Sequence, residues 1–194
     1  MGDAVTSDSQ LLFRLTHGDE KAYRELFRRH ERAAYRVALA LVQTTWDAEE
    51  VVGSAFLELW RKRESVRIVD DSVLPWLFTT ISFVAKNQIR GRRRFQRLLR
   101  SAPIAEVQRD HADEVARVVD AIRIAHDVQE VLSTLNARDA SVVLLCIVQE
   151  LSTQEVAIVL GVPEGTVKSR LSRVKARLRT RLSKYAPGVG EVET

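Results

Sequence analysis

Thr166, Lys168, Ser169, Arg170 and Arg173 are polar or basic, while Val167 and Leu171 among them are apolar. On one helix, with Val167 and Leu171 turned inward, that set faces outward and can hydrogen-bond to base edges. A major groove accepts a helix, and Arg or Lys paired with guanine O6 and N7 contributes about 1–3 kcal/mol of discrimination. A second set is different in kind. Trp76, Phe78 and Phe83 precede Lys86, Asn87, Arg90 and the run Arg92-Arg93-Arg94. Aromatics beside a cationic track suit unstacked single-stranded bases, each stacked base contributing about 1–3 kcal/mol. Aromatics at helical spacing are also what a core uses; Trp76 and Phe78 are read as core and Phe83 stays open. Other chemistry finds no residues. The four histidines are scattered, no Cys/His or carboxylate spacing suggests a metal, and no glycine loop could cradle a phosphate. The lone Cys146 lies in the apolar run Val142–Val148 and reads as a small hydrophobe. No cofactor and no enzymatic activity are expected.

Charge distribution agrees with a polyanionic partner. Ser72 to Ala105 and Gly165 to Gly190 contain no acidic residue, yet they carry half of the 30 Lys and Arg in a chain of net charge +4. Clustered basic residues are the electrostatic footprint of nucleic acid. Charge alone does not separate DNA from RNA or from an acidic membrane. A cluster meeting about six phosphates would give a log–log salt slope near −5.

The elements that must position these residues read as helices throughout. Eight glycines and four prolines in 194 residues leave little room for a many-turned β fold. Asp19 to Val42 spaces Ala22, Leu26, Phe27, Ala34, Tyr35, Ala38 and Leu41 as a 3.6-period stripe. Asp47 with Glu50 resembles a capping box opening a second helix to Trp60. Arg61 to Leu74 reads as a loop, and Pro75 starts a helix running into the first basic cluster. After a weakly patterned stretch, Ile124 to Leu135 is helical. Asn136 caps the next helix, and Ser152-Thr153-Gln154-Glu155 is a capping box. Gly161-Val162-Pro163 is a turn before a long basic helix to about Tyr185. Two helices across a short Gly-containing turn describe a helix-turn-helix; an ordinary helical hairpin with a basic face is the alternative. The expected architecture is all-α: one helical domain over residues 8–97, a linker over 98–123, a second domain over 124–185 and a frayed tail over 186–194. The longest apolar run is far short of the ~20 residues that span a membrane. The polar MGDAVTSDSQ start suggests no signal peptide, and one cysteine argues for a reducing compartment, so a cytoplasmic location is expected.

Three stretches, DAEEVVGSAFLELW (Asp47–Trp60), PWLFTTISFVAKNQIRGRRR (Pro75–Arg94) and LSTQEVAIVLGVPEGTVKSRLSRVKARLRTRL (Leu151–Leu182), resemble bacterial sigma factors of the extracytoplasmic-function (ECF) group of the sigma-70 family. GDEKAYRELFRRH (Gly18–His30) is similar to the start of their sigma-2 domain. The resemblance implies a sigma-2-like bundle and a sigma-4-like helix-turn-helix on a flexible linker. It implies that Thr166, Lys168, Ser169, Arg170 and Arg173, with Arg177 a turn further on, read a promoter −35 element. Phe83, Lys86, Asn87, Arg90, Arg92, Arg93 and Arg94 would engage the −10 element, and the loop near Arg63–Leu74 would receive an extruded base. Asp47, Glu50, Ser54 and Glu58 would dock on the β′ clamp helices of core RNA polymerase, with the β flap as a further contact. Members are commonly held inactive by an anti-sigma factor, often membrane-anchored, and such a partner is implied without being identified. No insertion of this chain into a membrane is expected.

Three departures from the group bear on these expectations. Gly53-Ser54 stands where the group usually has Gln followed by an acidic residue or Thr, and mid-helix Gly costs roughly 1 kcal/mol against Ala. Phe83 stands where many members carry Asn. No appended carboxy-terminal domain is expected. The competing reading is a dimeric helix-turn-helix regulator on a palindromic site; a further one is an interaction adaptor with merely solvated basic faces.

Overall fold

The computed structural model describes residues 6–100, 127–128, 130–132 and 134–183, with backbone alone at 93 and 95–100. The expectations for most of the linker and for the tail lie outside these residues. Helix α1 spans Asp8–Thr16, α2 Glu20–Val42, α3 Thr45–Arg61 and α4 Leu74–Arg100. Among the described residues no strand forms; Val69 and Ser72 make one isolated bridge in the loop before α4.

Helices α2, α3 and α4 make a bundle because each carries one apolar stripe. Ala22, Leu26, Ala34, Ala38 and Leu41 of α2 meet Ala48, Val51, Ala55, Phe56 and Leu59 of α3. Leu77, Phe78, Ile81 and Ala85 of α4 close the third side. The expected Phe27 and Tyr35 are half-buried at the rim of this core, where Phe27 packs 4.6 Å from Phe56. Phe78 is core as expected, whereas Trp76 is half-buried.

Helix α1 is fastened by one buried carboxylate. Asp8 accepts from Arg29 Nη1 at 2.8 Å and from the Val73 backbone N–H at 3.0 Å, and its other contact is His30 Nε2 at 2.6 Å. Burial alone would raise the Asp8 carboxyl, but the bonds from His30 and Val73 outweigh it and hold the group below its ordinary value. One side chain thus joins α1, α2 and the approach to α4.

The start of α3 differs from the sequence expectation. Its cap is Thr44, whose hydroxyl accepts from the Asp47 N–H at 3.3 Å. Thr44-x-x-Asp47 and Asp47-x-x-Glu50 both fit a capping pattern, and the Asp47 carboxylate is occupied elsewhere. Helix α4 also runs past residue 97, to Arg100, so the backbone is helical where the linker was expected to begin.

In the second half, residues 127, 128, 130–132 and 134 are helical. Asn136 then caps α5 (Ala137–Val143), as expected, by accepting from the Asp139 N–H at 2.9 Å. This helix widens into a π-turn over Leu144–Val148. Helix α6 (Thr153–Leu160) opens with the Ser152–Glu155 capping box and ends at Gly161, whose φ of +63° is left-handed. That φ is strained for any residue with a Cβ, which is why glycine ends this helix. Helix α7 (Glu164–Leu182) follows and packs Val167 and Val174 against α5 and α6; Leu171 is half-buried.

Candidate nucleic-acid interface

Val167 and Val174 fix the roll of α7, so its other faces are left to solvent. Lys168, Ser169, Arg173 and Arg177 are exposed and Thr166 is half-buried. Lys168 Nζ lies 2.9 Å from Glu164, and the Ser169 hydroxyl donates back to the Thr166 carbonyl at 3.0 Å. The Glu164 carboxyl is held below its ordinary value by the Thr153 hydroxyl, 2.6 Å away, and by Lys168. This bond clips the start of α7 to the start of α6. Arg170 sits deeper, 3.4 Å from Asp139, which is itself held by Asn136 Nδ2 at 2.8 Å. The α6–turn–α7 unit therefore presents one basic, hydrogen-bonding face of the width a major groove admits.

Along α4, Asn87, Arg90 and Arg94 are exposed, and Phe83 is 42% exposed, which settles its open status in favour of the surface. Lys86 is not at the surface. It is 4% exposed, and its ammonium donates to the Leu132 carbonyl at 2.8 Å. Nothing in local sequence pattern foretold this, because the covering chain comes from the second half of the molecule. The Arg93 side chain lies outside the described residues. Arg92 pairs with Asp47 of α3.

The acidic helix α3 divides. Glu50 is exposed; Glu58 is half-buried and paired with Lys62 at 3.0 Å and Arg61 at 3.4 Å, with its carboxyl lowered chiefly by Lys62. Ser54 is half-buried. Asp47 is 1% exposed, so it does not share the outer surface expected of it. Gly53 is exposed, with open space where a Cβ would lie.

Sequence reading missed Gln88, which donates to both Asp47 (3.1 Å) and Glu50 (2.7 Å), and Arg138 and Asp139. The i,i+4 pair Gln88 and Arg92 facing an acidic helix was the available signal. Arg90 of α4 and Arg138, Arg170 and Arg173 of the second half line one groove of about 390 Å³, with Asp139 between them. The two sets of basic residues, far apart in sequence, thus meet across a shared cleft.

Residues 26–95 match the family described as Sigma-70 region 2, and residues 125–178 match Sigma-70, region 4. The ECF RNA polymerase sigma factor SigM of Mycobacterium tuberculosis is 35% identical over 183 residues, covering 94% of this chain and 88% of that protein. SigL of the same organism is 32% identical over 166 residues, covering 82% and 88%. Among solved structures, the sigma factor RpoE of Bartonella quintana, determined in complex with the anti-sigma factor NepR, superposes with a TM-score of 0.58. It is 24% identical and the match covers 84% of this chain and 98% of that one. CnrH, in complex with the cytosolic domain of CnrY, gives 0.59 at 23% identity, covering 91% and 97%. These two likenesses concern the fold.

Proposed function

This chain belongs to the ECF group of the sigma-70 family, and from that membership we propose how its faces divide the work of starting transcription. It is an alternative sigma factor, a non-enzymatic protein that binds core RNA polymerase and promoter DNA. The dimeric-regulator reading is thereby set aside.

Helix α7 reads the −35 element through Thr166, Lys168, Ser169, Arg170, Arg173 and Arg177. The exposed side of α4, with Phe83, Asn87 and Arg90, takes the −10 element as it melts, and Arg92 and Arg94 hold its phosphates. Unstacking costs a few kcal/mol per step, which base capture on α4 offsets. Glu50, Ser54 and Glu58 on the outer side of α3 dock on the β′ clamp helices, and the second half meets the β flap. The functional units are residues 8–97 and 124–185. The site of action is the cytoplasm, where the polymerase is. Among the described residues no helix is long and apolar enough to cross a membrane. An anti-sigma partner belongs to this reading, since RpoE was solved in complex with the anti-sigma factor NepR.

Both promoter elements cannot be held in the arrangement described above. Elements about 25 base pairs apart lie about 85 Å apart at 3.4 Å per step, whereas α4 and α7 share one cleft. The compact form is the unengaged one. Engagement separates the halves, uncovers Lys86 and releases Arg170 from Asp139.

The observation that carries this division is the α6–Gly161–α7 geometry, with its basic face outward and its valines inward. Arg170→Ala in the assembled holoenzyme should weaken some promoters at least tenfold more than others, as loss of a base contact does. Arg94→Ala should weaken all of them alike and make the salt slope shallower by about one. Promoter-by-promoter initiation rates decide; equal losses across promoters for both variants would refute the division.

A further inference from the structure

The family resemblance places Asp47 on the docking surface, yet its carboxylate is enclosed. Asp47 is 1% exposed, lodged between the first turn of α3 and the middle of α4. The Gln88 and Arg92 side chains contact it, so a partner protein reaches it only by displacing them. Both of its oxygens are also engaged. The Thr44 hydroxyl and the Arg92 guanidinium donate to Oδ2, and Gln88 Nε2 donates to Oδ1 at 3.1 Å. The position favours an anion further, because it lies in the first turn of α3, at the positive end of the helix dipole.

What Asp47 holds is the helix assigned to the −10 element. Gln88 and Arg92 are four residues apart and share one face of α4, while Asn87 and Arg90 flank that face and stay exposed. The buried apolar stripe of α4 ends at Ala85, and fixing two points one turn apart beyond it holds the roll of the following stretch, and with it the direction in which Asn87 and Arg90 project. Arg92 is held without being used up. Its side chain is 55% exposed, and a guanidinium has five donors in a rigid fork, so donors remain toward solvent where a phosphate arrives. Gln88 extends the link to the docking side, donating its other N–H to Glu50 at 2.7 Å.

We propose that Asp47 is a positioning residue for −10 recognition, a buried carboxylate that orients α4 through Arg92 and Gln88, and not a polymerase contact. The proposal rests on the assignment of α4 to the −10 element. The test uses the full chain assembled with core polymerase and a pre-melted fork DNA carrying either the preferred −10 sequence or a scrambled one. That preferred sequence is selected beforehand with the unsubstituted holoenzyme. Asp47→Asn should lower the preference for the cognate fork about tenfold, the size of one lost base contact. Affinity for core polymerase should stay within about twofold and the salt slope should be no shallower, since no phosphate contact is removed. Arg92→Gln should lose preference and also flatten the slope, and Asp47→Asn on top of it should cost no further preference, as for two halves of one device.

An Asp47→Asn chain that binds core polymerase weakly yet keeps its −10 preference would overturn the proposal and return Asp47 to the docking surface. Should that variant unfold, Arg92→Lys answers the same question from the half-exposed side. It keeps the charge without the planar fork, so preference should fall while the salt slope holds; unchanged preference overturns the proposal. Asn87→Ala and Arg90→Ala separate the two levels. If neither alters preference, the −10 assignment of α4 fails; if both do and Asp47→Asn does not, the positioning role alone fails.

Discussion

At the scale of single residues, the largest departures from expectation concern polar side chains whose partners lie far along the chain. Lys86 and Asp47 both look like surface residues on their own helices. Lys86 is covered by the Leu132 carbonyl and Asp47 by Gln88 and Arg92. Local spacing gives no access to the Lys86 contact and only the Gln88–Arg92 spacing hints at that of Asp47, whereas the exposed Lys168, Ser169 and Arg173 of α7 were legible because Val167 and Leu171 mark the inward side. Gly53 is a residue-scale question with a direct answer. It is an exposed mid-helix glycine with open space at its Cβ position, so Gly53→Ala removes a propensity penalty of roughly 1 kcal/mol without a clash. The denaturant midpoint should rise by the corresponding amount with an unchanged m-value. A fall would mean that the bare glycine is packed against something in solution.

At the scale of elements, the helices from α2 onward were readable from apolar periodicity, and the caps at Asn136 and Ser152 from residue type, whereas α1 was not read. The start of α3 was not, because two overlapping capping patterns compete there and tertiary hydrogen bonds choose between them. The attachment of α1 was equally hidden, since Asp8, His30 and Val73 meet only after the bundle forms. Asp8→Asn breaks that attachment and should cost about 3 kcal/mol, the scale for removing one member of a buried charged pair. Its pH dependence has a definite sign. The folded carboxyl titrates below its unfolded value, so this stabilisation is present in full above about pH 4 and is lost as pH falls through the folded pKa. Urea midpoints of the two chains across that range should therefore converge on the acid side; a gap that widened toward acid would contradict the assignment of the Asp8 carboxylate as the fastening group.

At the scale of the whole molecule, the two basic clusters that the sequence showed as separate footprints face each other across the cleft between α4 and the second half. That juxtaposition depends on the packing of α4 against α5, which no sequence pattern announced. It sets the basic residues of α4 and α7 along one shared groove in the free chain, while Glu50 and Trp46 near the start of α3 are exposed. In the order of events proposed here, α3 meets the polymerase, the halves part, and α4 and α7 become available to promoter DNA. The most direct test of the central claim is whether the purified chain co-elutes with sigma-free bacterial core RNA polymerase on a sizing column, which needs no knowledge of the promoter. A stoichiometric one-to-one complex is the expected result. A chain that stays apart from core polymerase, as a monomer or as a dimer, would contradict it.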